Sequence, residues 1–153
     1  MSAAERLAAL GVALPPVTAP VAAYVPAVRT GGYVYVSGQV PVADGKLAAT
    51  GKVGAEVTAE DAAGMARTCA LNAIAAAAEA AGGLDRVRRI VKVVGFVASA
   101  PGFSGQPQVI NGASELLIEV FGEDGKHARS AIGVAELPLN APVEVELIAE
   151  VRD

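Results

Sequence analysis

The hydrophobic positions of this chain change period several times, and each change marks an element. From Tyr33 to Gln39 (YVYVSGQ), Val34 and Val36 alternate with Tyr33, Tyr35 and Ser37, the two-residue period of a strand. Tyr24 to Arg29 precedes it as a second strand across a Thr30-Gly31-Gly32 turn. Asp44-Gly45 is a hairpin signal, and Lys46 to Val57 reads as a short strand and loop. The period then lengthens. Thr58 is a credible N-cap, with Glu60 and Asp61 in the first turn, where the helix dipole favours negative charge. Met65, Cys69, Ala73 and Ala76, with Leu71, Ile74 and Ala78, recur at helical spacing until Gly82-Gly83 stops the helix. Ile90 to Ser99 (IVKVVGFVAS) returns to a strand, apolar on both faces. After the Pro101-Gly102 break, Val109, Ile110, Ala113, Leu116, Leu117 and Val120 form the stripe of a second helix, which Gly122 ends. His127 to Val151 reads as two strands joined by a Pro-containing turn. At the N-terminus, Ser2 to Leu10 suits a short helix with Leu7 and Leu10 on one side, and Pro15, Pro16 and Pro20 impose an extended path.

Strands, helix, strand, helix and two strands predict an α+β domain with two helices on one face of a mixed sheet. A chain of 153 residues is most simply one such domain. A strand buried on both faces needs two covers. The helices supply one, and little of a small domain is left for the other, so a partner subunit is expected there.

Composition narrows the function. The chain is 53% hydrophobic, mostly alanine and valine, with a mean hydropathy of +0.46. Its most apolar run, Cys69 to Ala78, is too short to span a bilayer and contains Asn72. Glu5 and Arg6 stand where an apolar leader core would begin, and a cytoplasmic location is the expectation. The single cysteine, Cys69, excludes an intrachain disulfide and reads as a small core residue. A net charge of −4 argues against nucleic acid as a partner, and the one basic cluster, Arg86, Arg88 and Arg89, reads as a solvated connection.

The candidate chemistry is concentrated in the last strands. In the first of them His127, Arg129, Ala131, Gly133 and Ala135 alternate with Ser130, Ile132 and Val134. The even face looks like core, which leaves a guanidinium on a face of small residues, suited to gripping a carboxylate through two parallel hydrogen bonds. In the closing strand Val143, Val145, Leu147 and Ala149 share one face, and Glu144, Glu146 and Glu150 the other, so acids and a base are expected to share a surface. The same spacing suits an ordinary cross-strand ion pair. One His and one Cys far apart make a poor nucleophilic pair, no phosphate loop or dinucleotide fingerprint is present, and no ligand spacing supports a metal.

With these residues in order, the chain resembles the RidA/YjgF family, reactive-intermediate deaminases also known as L-PSP endoribonucleases or translation inhibitors. The resemblance rests on ARSAIGVAELP followed by VEVELIA, on YVYVSGQVP, and on the spacing from Tyr24 to Ser37. It implies a chorismate-mutase-like subunit and a homotrimer with a central barrel and clefts between subunits. Residues 1–153 would be one such domain, with 1–20 an N-terminal extension. The implied activity is hydrolysis of enamines and imines such as 2-aminoacrylate to 2-keto acids and ammonia, with neither metal nor organic cofactor. By position, Arg129 would hold the substrate carboxylate and Glu144 would orient or activate water. Ser37 and Tyr24 would line the cleft, Asn111 would help fix it, and the Ala131 backbone would meet the imine nitrogen. A small-carboxylate-binding regulatory trimer and an endoribonuclease are the alternatives. Ala131 stands where many members have cysteine, and AAYVPAV replaces the usual Gly-Pro-Tyr-Ser. With the N-terminal extension and the FGEDGKH connection, these departures resemble a longer, less characterised branch.

Overall fold

The computed structural model describes residues 1–153 apart from Val21. Its elements, in chain order, are α1 (Ala3–Ala9), β1 (Ala27–Thr30), β2 (Tyr33–Gln39), β3 (Val42–Ala43), β4 (Lys46–Leu47), α2 (Ala59–Ala81), β5 (Val87–Ala98), α3 (Gln106–Phe121), β6 (Ala128–Val134) and β7 (Val143–Val151). Local chemistry fixes their ends. The Ser2 and Glu5 side chains cap α1 reciprocally. The Thr58 hydroxyl accepts from the Asp61 amide at the start of α2, and Gly82, at φ 85°, closes it in the left-handed conformation. Asp44 and Gly45, both at positive φ (52° and 77°), turn the β3–β4 hairpin.

β1, β2, β7, β5 and β6 lie side by side in that order in one sheet. Every pairing is antiparallel except that of β5 with β6, which α3 connects as a parallel crossover. Helices α2 and α3 cover one face. There Val34, Val36, Val93, Val97, Val143, Val145, Leu147 and Ala149 are buried beneath Cys69, Ile74, Ile110 and Leu117. The other face is uncovered and largely apolar. Val28, Tyr35 and Ile132 are 51%, 47% and 44% exposed, and Val94 and Ile148 line a shallow cavity of about 310 Å³ with Val28 and Tyr35. The α+β class with two helices on one face of a mixed sheet is therefore as expected, and the unhelped side of β5 is the side the sequence leaves without a cover. No helix among the described residues is long and apolar enough to cross a membrane.

Three expectations are corrected. The first strand starts at Ala27, not Tyr24: Pro26 has no amide hydrogen to give a ladder, and Tyr24 sits in a bend, 56% exposed. Leu7 is buried but Leu10 is exposed. The faces of β6 are reversed: Arg129 pairs in register with Val93 and Ala131 with Gly95, so the odd residues lie on the helix side and Ile132 on the open side. Alternation shows that a strand has two faces, and only its neighbours decide which one the helices cover.

Two glycines let α3 lie close to its neighbours. A Cβ on Gly95 of β5 would run into the Ile110 side chain, and one on Gly112 of α3 would run into the Ala63 carbonyl of α2. The second obstacle is backbone and cannot step aside. Gly112→Ala should therefore lower the urea midpoint, costing about 1–3 kcal/mol, although alanine favours an exposed helix by about 1 kcal/mol.

Candidate functional site

Arg129 leaves the edge strand β6 beneath α3 and meets only neutral oxygens. Its Nη1 donates to Asn111 Oδ1 at 2.8 Å and to Ser114 Oγ at 3.2 Å, and its Nη2 lies 3.5 Å from the Pro107 carbonyl. Pro107, Asn111 and Ser114 are spaced four and three residues apart along α3, so the helix presents them as one column. Both Nη1 hydrogens are thereby used and one on Nη2 is donated to Pro107, which leaves Nε–H and the second Nη2 hydrogen for a carboxylate. Six ion pairs among the described residues join Arg29, Lys52, Arg67, Arg88, Arg89 and Lys126 to acids, and Arg129 belongs to none of them. The ordinary cross-strand ion pair is excluded. The Arg88–Arg89 part of the basic cluster is paired with Glu150 and Asp124, on β5 rather than in a connection.

The acids lie elsewhere. Glu144 pairs in register with Phe96, and Glu146 with Val94, on the open face of the sheet. Arg129 and Glu144 therefore occupy opposite faces. Their strand positions are two strands apart, about 10 Å across the sheet, and about 10 Å offset along it. The expectation of a shared surface within one chain is overturned.

Glu144 has its own setting. Between Val36 and Gln39 the β2–β7 register shifts, a bulge that places Ser37 and Gly38 beside β7. A Cβ on Gly38 would collide with the Glu144 carboxylate, so the glycine is what lets that carboxylate lie over β2. Ser37 Oγ donates to the Val25 carbonyl at 2.6 Å, tying the bulge to the bend that carries Tyr24. Asn72 of α2 holds the passage from β2 to β3 by donating to the Val40 and Val42 carbonyls. Burial raises the Glu144 pKa above the ordinary carboxylate value, and the neighbouring Glu146 adds to the rise.

The six residues singled out in the sequence thus fall into two groups. Arg129 and Ala131 of β6 stand with Asn111 of α3 at the edge of the sheet, and Glu144, Ser37 and Tyr24 stand at the β2–β7 bulge. Sequence reasoning passed over Ser114 and Gly38. The i, i+3 spacing of Asn111 and Ser114 signals the first once Arg129 is known to lie under the helix, and nothing in the local pattern signals the second. No cluster of three or more His, Cys, Asp or Glu side chains among the described residues is placed to hold a metal ion.

The comparisons with known proteins agree with this frame. The family described as "YjgF/chorismate mutase-like, putative endoribonuclease" matches residues 4–151. The chain is 45% identical to protein TCP17 of Trypanosoma cruzi over 98% of its own length and 94% of that protein. It resembles the structure of Atu1372 from Agrobacterium tumefaciens, a protein of unknown function, at 46% identity and a TM-score of 0.91, covering 98% of this chain and 92% of that one. It also resembles Escherichia coli TdcF, solved with bound serine, at 29% identity and a TM-score of 0.62, covering 90% and 94% of the two chains. This chain belongs to the RidA/YjgF family.

Because the Glu144 pKa is raised in the folded chain, ionisation there works against folding as pH rises through it. Glu144→Gln should accordingly raise the melting temperature at about pH 8, and the gain should vanish toward about pH 3, below the unfolded pKa, where the acid is neutral in both states.

Proposed function

We propose that the protein is a deaminase of 2-imino and enamine acids, active as a homotrimer whose clefts pair the Arg129 group of one subunit with the Glu144 group of the next. The observation that carries this reading is the unpaired guanidinium. A cation held by neutral oxygens, with its bidentate edge open, is arranged for an anion that the chain itself does not provide. The bound serine of TdcF supports a ligand bearing both a carboxylate and an amino nitrogen. The uncovered apolar face supports assembly, since a patch of that kind on a small domain calls for a partner.

The chemistry asks little of the protein. An imine carbon is already electrophilic, so holding the carboxylate and placing one water supply most of what is needed. Glu144, with its pKa raised above the ordinary carboxylate value by burial, accepts a proton as the water oxygen bonds to C2. That proton passes to the substrate nitrogen to give a carbinolamine. The C2–N bond then breaks as the hydroxyl hydrogen follows it, releasing ammonia and leaving a 2-keto acid. Asn111 fixes the arginine, Ser37 and Tyr24 line the opposite wall, and the Ala131 backbone lies on the free edge strand within reach of the nitrogen. None of these steps draws on a metal or organic cofactor.

A regulatory trimer that binds a small carboxylate without turnover would use the same arginine. An endoribonuclease would need a basic surface, whereas the net charge is −4 and most exposed arginines are already paired.

The test is release of ammonia and keto acid from 2-aminoacrylate generated by a dehydratase. Acceleration above buffer is expected, and Arg129→Ala should lower kcat/KM by about thirty- to a thousandfold, the 2–4 kcal/mol of a truncated charge pair. Activity should fall in acid as Glu144 takes up its proton, at a pH above the ordinary carboxylate range. Binding of pyruvate without turnover would instead establish the regulatory reading, and RNA cleavage that weakens with salt and survives Arg129→Ala, with no imine turnover, would overturn both.

A further inference from the structure

The chain has one histidine, and it stands in line with the arginine. His127, just before β6, places Nδ1 2.6 Å from the Gly125 carbonyl and Nε2 2.9 Å from Ser114 Oγ. Ser114 is the same hydroxyl that accepts from Arg129 Nη1 at 3.2 Å. The directions of these bonds follow from the chemistry of their ends. A carbonyl only accepts, so Nδ1 carries the hydrogen. In a neutral ring Nε2 is then the acceptor, the Ser114 hydroxyl donates to it, and the serine's lone pairs turn toward Arg129. The order is Arg129 to Ser114 to His127 to Gly125, each group donating to the next. Gly125 is itself fixed, because the turn Gly122–Gly125 packs its Cα against the end of α3, where a Cβ would strike the Leu117 carbonyl.

We propose that His127, acting through Ser114, is a positioning residue for Arg129, holding the guanidinium in the one plane that leaves its Nε–Nη2 edge open to the substrate carboxylate, and doing so only as the neutral imidazole. This rests on the reading of Arg129 as the carboxylate anchor and adds what sets its orientation and when. A protonated His127 would send N–H groups to both partners. Ser114 would lose its acceptor and have to turn its hydrogen away, and two cations would then aim at one oxygen. The surroundings favour the neutral ring. Burial lowers the His127 pKa, the Gly125 carbonyl works against this, and Arg129 adds to the lowering. Of the other charges on the adjoining turn, Glu123 is held by Lys126 and Asp124 by Arg89, and from α3 the contact is the uncharged Ser114.

The test uses pyruvate binding to the intact protein, imine turnover, and the nitrogen-15 spectrum of the single imidazole. Ser114→Ala and His127→Phe should each weaken pyruvate binding roughly five- to twentyfold and raise KM in step, the order of one lost hydrogen bond, with kcat changed by less than about threefold. The double variant should be no worse than the worse single one, because the residues act in series. Ser114→Thr, which keeps the hydroxyl, should restore most of what Ser114→Ala loses. In the wild-type protein the ring should be protonated at Nδ1, and pyruvate binding should weaken as pH falls through its pKa, a dependence that His127→Phe removes. Additive losses, a ring protonated at Nε2, or variants that bind like the wild type would overturn the relay and leave the carboxylate reading standing. Wild-type protein that binds no pyruvate would overturn both.

Discussion

The structure is organised around a cation that no acid among the described residues pairs with. Arg129 sits on the edge strand of the sheet, under a helix that offers it an amide oxygen, a hydroxyl and a carbonyl, but no carboxylate. A half-buried guanidinium met by neutral acceptors alone is oriented more than it is neutralised. That orientation depends on how closely α3 lies to its neighbours, which Gly95 and Gly112 permit by having no side chain where Ile110 and the Ala63 carbonyl pass. The packing of the core and the geometry of the site are thus one constraint, since moving α3 outward would carry Asn111 and Ser114 away from the arginine.

The second constraint is topological. A single sheet puts the arginine on its helix side and Glu144 on its open side, and no side chain reaches through. The two groups can face one small molecule only if different copies of the chain supply them. The same open side carries Val28, Tyr35 and Ile132 exposed and Ile148 half-buried, the kind of apolar surface that a partner covers. The bulge in β2 and the bare Gly38 explain why a carboxylate stands at the rim of that surface rather than pointing away from it. On the proposed reading, assembly covers the apolar face and completes the clefts in the same event.

Much of the fold was legible in the chain. The period-two run at Tyr33–Gln39, the Thr58 cap, the Gly82 stop and the stripe from Val109 to Val120 all became elements at or near the expected bounds. The candidate residues were singled out by motif, since Arg129 and Glu144 stand in stretches with distinctive neighbours, and the fold brings Asn111 alone of the other four into a hydrogen bond with Arg129. What could not be read was sidedness. Ile132 looked like core and proved exposed, because an edge strand takes its orientation from the one neighbour it has, and that register is a long-range fact. Nor could a local pattern show that Ser114 and His127 converge on the arginine, since one comes from a helix and the other from the turn that follows it.

Subunit complementation probes the central claim most directly. Arg129→Ala and Glu144→Gln protein, each inactive alone, would be unfolded together in equal amounts, refolded, and assayed for imine hydrolysis. If each cleft draws its arginine and its acid from different subunits, random assortment gives about one quarter of the clefts both native groups, and activity returns to that level. A mixture as inactive as its components would contradict the account.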